Sequence, residues 1–308
     1  MSKLSKNMSK GKDNLTQVDA SLDQPLDVDA PPTIYGTKVK PELCSAAMNL
    51  AMDSVKQQQS LSNKFMIKHP FTGFILLIAT VIYLAPRIIL PRNIKSGSIT
   101  GFLYQLVHFN VYNFGTALAI VSLTGMCLFT VYSRISEFFF KTKLSEITDN
   151  SGEKIFGVDL RKLATKDKKA LSSKQNDNTY IIIYREAPIA LISIKENDTL
   201  SSKEALVVSI STVGCRKVYI KSGIMEDLLD WAMLRTKTIN KEGNYGQSMK
   251  LLISVYSFET DLKHILKRKG FTLVQSTKSV ESRLLGGLFG ARKELWGIQF
   301  HFEPAKQE

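Results

Sequence analysis

Two stretches decide how this chain is read: FTGFILLIATVIYLAPRIIL, residues 71–90, and VYNFGTALAIVSLTGMCLFTVYS, residues 111–133. Each is close to the roughly 20 residues that an α-helix needs to cross about 30 Å of hydrocarbon. A core helix of a soluble protein seldom runs so long without a charge. The direct reading is a two-span transmembrane helical hairpin, occupying residues 69–135 with its short loop. Pro86 and Arg87 break the first run, so it either spans, with Arg87 reaching the far headgroups, or dips in as a shorter helix. Residue 71 lies too deep in the chain for a signal peptide.

Flanking charge orients the hairpin. Lys56, Lys64 and Lys68 precede it and Arg134, Lys141 and Lys143 follow it, whereas the loop carries only Arg92 and Lys95 beside Arg87. An excess of positive charge marks the cytosolic side, so both termini are expected in the cytosol. The loop segment GFLYQLVHFNVY, residues 101–112, is aromatic and uncharged and suits the membrane interface. Gly115, Ala119, Ser122 and Gly125 recur at helical spacing in the second run and make a small-residue face on which another helix can approach closely. That helix is either a partner's or the chain's own first span, through Gly73 or Ala79.

With 308 residues and 44% hydrophobic content, the chain has room for one packed domain beyond its membrane part. Its net charge of +13 is spread over Lys-rich loops and helix faces rather than gathered in an aromatic-interleaved stripe. This favours an anionic lipid bilayer over nucleic acid as partner. Cys44, Cys127 and Cys215 are far apart, and His69, His108, His264 and His301 lack metal-ligand spacing, so neither a disulfide framework nor a metal site is expected.

Residues 1–33 are polar and carry too little apolar surface to offset ordering, so they read as a disordered tail. From Pro41, the segment within 34–68 places Leu43, Ala47, Leu50 and Val55 on one side of an amphipathic helix, which either feeds towards the membrane or packs on the cytosolic domain. Residues 136–178 read as a charged linker with short helices. A compact α/β pattern then fills 179–308, with strands in TYIIIY, IALISIK, ALVVSIS, MKLLISVYS, FTLVQS and ELWGIQFHF. Helices are expected from Gly223 and over Glu259–Arg268, and the glycine-rich LLGGLFGARK reads as a loop. The fold class is α+β with a membrane part.

Within that domain, VYIKSGIMEDLLDWA and VYSFETDLKHILKRKGF resemble the GCN5-related N-acetyltransferase family, the first its acyl-CoA phosphate loop and following helix. The resemblance implies acetyl-CoA as cofactor, with Lys221, Ser222 and Gly223 at the anion, since a helix start offers free N–H groups and a positive dipole end. Several positions depart from the family's pattern. Ile220 stands for its usual Arg or Gln, Met225 for its last small residue, Leu266 for its general-acid Tyr, and Glu259 for an Asn. A leucine cannot donate a proton. Tyr256 and Glu259 are the remaining acid–base candidates, so the expectation is a retained scaffold with no catalytic residues and no bound cofactor; a membrane-anchored, acyl-CoA-dependent N-acetyltransferase is the alternative.

The combination of DAPPTIYGTKVKPE, KHPFTG, YSRISEFFFK and LLGGLFGARKELWGIQFH, in that order, resembles a fungal family of endoplasmic reticulum membrane proteins required for the high-affinity inorganic phosphate transporter to leave that compartment. The resemblance implies a packaging chaperone in the endoplasmic reticulum membrane, with a phosphate transporter as client and vesicle coat components as further partners. Asn7, Asn14 and Asn197 lie in glycosylation sequons that would stay unmodified if both soluble parts are cytosolic.

Overall fold

The computed structural model describes residues 33–91, 99–246, 248–278 and 283–301. Most of the predicted tail, residues 1–32, lies outside them.

The sheet has seven strands: β1 (Ile34–Lys38), β2 (Thr179–Tyr184), β3 (Ala187–Glu196), β4 (Ala205–Cys215), β5 (Ser248–Tyr256), β6 (Thr272–Lys278) and β7 (Arg292–His301). They lie in the order β1-β2-β3-β4-β5-β7-β6, and every neighbouring pair is antiparallel except β4 and β5. A parallel pair needs a crossover, here the helix α8 (Ile224–Glu242). The helix α9 (Thr260–Arg268) follows β5.

Both faces of the sheet are covered, which explains strands that read as unbroken apolar runs. Ile181, Ile183 and Leu191 join one core with the helix α1 (Cys44–Lys68), while Ile182, Ile189 and Ile192 join another with Leu228, Leu229 and Ala232 of α8. Alternation along β2 thus sends successive isoleucines to opposite layers.

β1 and α1 correct the expected boundaries. Ile34 to Lys38 pair with Tyr184 to Tyr180, so the sheet begins far upstream of Thr179. Of the two readings left open for α1, the structure takes packing on the domain: Ala47, Leu50 and Ala51 are sealed under β3 and β4. The approach is close enough that a Cβ on Gly214 would stand 2.9 Å from Ser54 Cβ and 3.3 Å from the Leu50 carbonyl oxygen. The short helices α5 (Glu153–Phe156), α6 (Leu160–Ala164) and α7 (Lys168–Leu171) bury Phe156, Leu160, Leu163 and Ala170 in the same core, so this segment is part of the domain rather than a linker.

The apolar helices are therefore an insertion between α1 and β2. α1 stops at Lys68 because Pro70 pushes His69 to an extended conformation, and Pro70 opens α2 (Pro70–Leu84) at a 48° bend. His69 Nδ1 accepts from the Phe71 amide at 3.2 Å. The helix α3 (Ile99–Phe109) precedes α4 (Val111–Thr148), which runs unbroken through the expected end of the membrane hairpin. Its second half buries Tyr132, Ser136, Phe139, Phe140 and Ile147, a stripe that the intervening charges hid in the sequence.

Among the described residues α4 alone is long and apolar enough to cross a membrane, with a mean hydropathy of 1.9 over its best window; the bent pair of α1 and α2 is the second candidate. The helix of the first run ends at Leu84, before Pro86 and Arg87. α2 covers about 22 Å at 1.5 Å per residue, and beyond it Arg87 turns back to donate to the Tyr83 carbonyl at 3.1 Å, lying over the Tyr83 ring. The non-helical chain after Pro86 is held by the fully buried Asn110. Its amide nitrogen donates to the Ile89 carbonyl at 2.9 Å and its oxygen accepts from the Ile89 amide at 2.8 Å.

Candidate functional site

β4 and β5 pair only as far as Ile210 and Ile253; β4 then runs on to Cys215 and β5 to Tyr256, so the two part. The gap opens into a cleft of about 1460 Å³. Its walls come from α1 and the second half of α4 as well as from the strand ends, with Met225 and Ile265 at its base and Gln57, Gln58, Lys143 and Glu259 among its polar residues.

Glu259 is the most enclosed of these. Its carboxylate accepts from the Tyr256 amide at 2.7 Å and from Gln58 Nε2 at 3.0 Å. Burial pushes its pKa above the ordinary carboxylate range, against the pull of these two hydrogen bonds and of Lys143 and Lys263. Lys143 sits 4.2 Å from the centre of the Tyr256 ring, and that ring stacks on Phe258 at 5.1 Å. Tyr256 and Glu259 are thus brought together, through a backbone amide rather than through the phenol. Gln57 Nε2 donates to the Cys215 carbonyl at 3.0 Å, tying α1 across the end of β4. The Cys215 thiol, pushed up to about 12 by burial, offers no thiolate at neutral pH. Among the described residues no cluster of His, Cys, Asp and Glu is placed to hold a metal.

Lys221, Ser222 and Gly223 lie at the entrance to α8. Gly223 adopts φ +88°, a left-handed conformation that a side chain would strain. Lys221 and Ser222 are exposed, but the Ser222 hydroxyl donates to the Tyr219 carbonyl at 2.7 Å within its own turn. The first turn of α8 carries Glu226 and Asp227, and Glu226 pairs with Arg268. Met225 is buried in the core beneath the helix, and Leu266 is fully enclosed there and forms no part of the cleft wall.

On α4, Gly115, Ala119 and Ser122 are exposed and Gly125 is half-buried. A Cβ added at Gly115, Gly125 or Gly73 would meet nothing within 4 Å. This removes the expectation that α2 covers the small-residue face through Gly73. α2 packs instead on the side of Thr116, whose hydroxyl bonds Tyr83 at 2.7 Å, and of Tyr132, which meets Thr72 at 3.0 Å.

The sequence reading missed the joint between the apolar helices and the domain. The segment taken as a glycine-rich loop forms a helical turn at Arg283–Leu288 and buries Leu285, Phe289 and Ala291. The Phe289 ring meets His69 at 5.3 Å, Phe71 at 6.1 Å and Tyr132 at 5.3 Å, so one residue keys the α1–α2 joint, α2 and α4 together. The Leu-Leu and Leu-Phe pairs within LLGGLFGARK were the available signal.

These features define a class: an α+β protein that carries an apolar helical insertion and walls its sheet cleft with the same helices. The chain belongs to the inorganic phosphate transporter chaperone Pho86 family, whose model matches residues 16–300. No curated protein sequence matches it. Solved structures similar to it are acetyltransferases. One, from Streptococcus pneumoniae and of the GNAT family, matches at 17% identity over 46% of this chain and 76% of its own, with a TM-score of 0.33. Arabidopsis thaliana Naa50, solved with a bisubstrate analogue, matches at 17% identity over 39% and 71%, with a TM-score of 0.31. A Bacillus anthracis streptothricin acetyltransferase homologue, solved with acetyl coenzyme A, matches at 19% identity over 40% and 61%, with a TM-score of 0.31; the chain spans less than two thirds of it. Likeness at this level says nothing of what the chain binds.

Proposed function

We propose that this chain is a packaging chaperone of the endoplasmic reticulum membrane that holds a phosphate transporter client through α4 while the client folds, and that releases it competent for capture by the vesicle coat. The observation that carries this reading is the open small-residue face of Gly115, Ala119, Ser122 and Gly125, in a family of phosphate transporter chaperones. Such a face permits close helix approach in lipid, and covering a client's polar intramembrane groups early suppresses aggregation.

Topology supports a double crossing. β1 lies before the insertion and β2–β7 after it, yet all share one sheet, so the chain between them crosses a bilayer an even number of times. If α4 spans, the segment from Pro70 to Asn110 must span as well, with the Asn110 bonds satisfying the backbone that α2 leaves bare. Both soluble ends then share one side, the cytosol by the charge rule.

The α/β domain serves as a binding module without turnover. Glu226 and Asp227 in the first turn of α8 oppose a pyrophosphate, and no proton donor stands at Leu266. The test is photocrosslinking from position 122 in native membranes. The client transporter is expected in the adduct, and Gly115→Leu with Gly125→Leu should remove it while Glu259→Gln leaves it. An adduct unchanged by the leucines overturns the reading. The second reading, a membrane-anchored N-acetyltransferase, requires both saturable heat on titrating the full chain with acetyl-CoA and transfer of the acetyl group to an amine acceptor.

A further inference from the structure

The cleft points at the membrane. α1 crosses β4 with Ser54 beside Gly214 and Gln57 on Cys215, and α1 then continues to Lys68 and into α2. Phe258, just past β5, meets Phe65 near the end of α1 at 5.9 Å. The ends of β4 and β5 therefore face the end of the domain from which the apolar helices leave.

Charge and exposed apolar surface concentrate there. The cleft is lined by seven basic and four acidic residues. Lys56, Lys64, Lys217 and Lys221 are exposed and, among the described residues, in no ion pair. Beside them lie apolar side chains that a soluble protein would bury: Phe138 is 80% and Leu284 49% exposed, both on the cleft wall, and Val218, next to Lys217, is 85% exposed. At the same end of the sheet, Ile34 and Tyr35 at the start of β1 are more than half or half exposed. Bases interleaved with apolar groups at a bilayer surface match an anionic lipid, whose headgroup takes the charge and whose chains cover the apolar wall.

We propose that this cleft binds an anionic phospholipid of the adjoining leaflet, with the headgroup among Lys56, Lys64, Lys217 and Lys221 and the acyl chains along Phe138 and Leu284. The inference rests on α4 crossing the bilayer. It gives the α/β domain a ligand distinct from the client held by the small-residue face. It also places lipid against α4, the element that both surfaces share.

The test uses the full chain in detergent, titrated with phosphatidylserine or phosphatidylcholine and followed by native mass spectrometry. One phosphatidylserine is expected to bind about tenfold or more tighter than phosphatidylcholine. Lys217→Ala with Lys221→Ala removes two bases, and at about one unit of surface attraction each the affinity should fall about thirtyfold. Ser254→Trp, at an exposed cleft position on β5, should abolish binding while thermal unfolding stays that of the wild type. Equal binding of the two lipids, full binding by a folded Ser254→Trp chain, or complete displacement by inorganic phosphate overturns the proposal. Alkaline carbonate extraction separates the two readings. A chain that washes off membranes defeats the spanning of α4, and a chain that stays without lipid preference defeats only the lipid site.

Discussion

Leu50→Ala tests whether the segment before the apolar insertion is structurally part of the domain after it. Leu50 is 1% exposed in the core shared by α1 and the sheet, and its carbonyl oxygen lies close against Gly214 of β4. Truncating a buried leucine removes transfer free energy and leaves a cavity, at a cost of about 2–5 kcal/mol. The fixed backbone of β4 prevents α1 from sinking to fill the gap, so the upper half of that range is expected. Against a domain stability of about 5–15 kcal/mol this is a large fraction. The assay is hydrogen exchange on the full chain in detergent. Amides of β3 and β4, more than 130 residues downstream, should exchange roughly a hundredfold faster or more, since each 1.4 kcal/mol is a factor of ten. Leu61→Ala, at a position 38% exposed, is the control and should change them little. If faster exchange is confined to α1 while β3 and β4 keep their protection, the helix is an appendage and the discontinuous domain is wrong.

Three further outcomes follow from named contacts. Asn110→Leu strips the Ile89 amide and carbonyl of their partners and should destabilise the helical insertion by about 1–3 kcal/mol, read as a lower detergent-unfolding midpoint; an unchanged midpoint would mean that water serves those groups. Glu259 has its pKa raised in the fold, so the native state binds the proton more tightly than the unfolded one; its stabilising contribution is complete below the ordinary carboxylate value of 4.5 and is lost as pH rises through the raised value. Glu259→Gln should therefore flatten the fall in melting temperature on going from acid to neutral pH, and a profile identical to wild type would refute the burial argument. Cys44 and Cys215, held up to about 11 and about 12 by burial, should resist maleimide at neutral pH until the chain is unfolded, as mass spectrometry of the labelled chain would show.

Much of the sheet was legible because its strands obey short-range rules: β-branched runs such as TYIIIY and ALVVSIS, and a helix entered at Gly223. β1 was not, because IYGTK is mostly exposed and its only claim to being a strand is a partner in residues 180–184. The two apolar stretches announced themselves by composition, yet composition could not show that α4 carries on into the domain, since Arg134, Glu137 and Lys141 conceal the buried face of Tyr132, Ser136 and Phe139. The loop residues Lys221, Ser222 and Gly223 were located correctly as a helix entrance. The cleft wall was not foreseen, because Gln57 and Gln58 come from a helix whose packing partner lies on the far side of the insertion.

The pairing of β1 with β2 across that insertion also sets an order of assembly in the cell. A ribosome making this chain releases β1 and α1 first, but the strands they need begin only at Thr179, after about 110 further residues that include the apolar helices. If Val111–Ser133 and its companion cross the bilayer as proposed, then until they have settled with their ends back on one side, β1 has nothing to pair with and the apolar face of α1 stays bare. On that proposed topology, sheet closure reports that membrane insertion has succeeded, and a chain inserted with a single crossing cannot bring β1 to β2. For a protein whose task concerns the maturation of another membrane protein, its own fold already contains such a check.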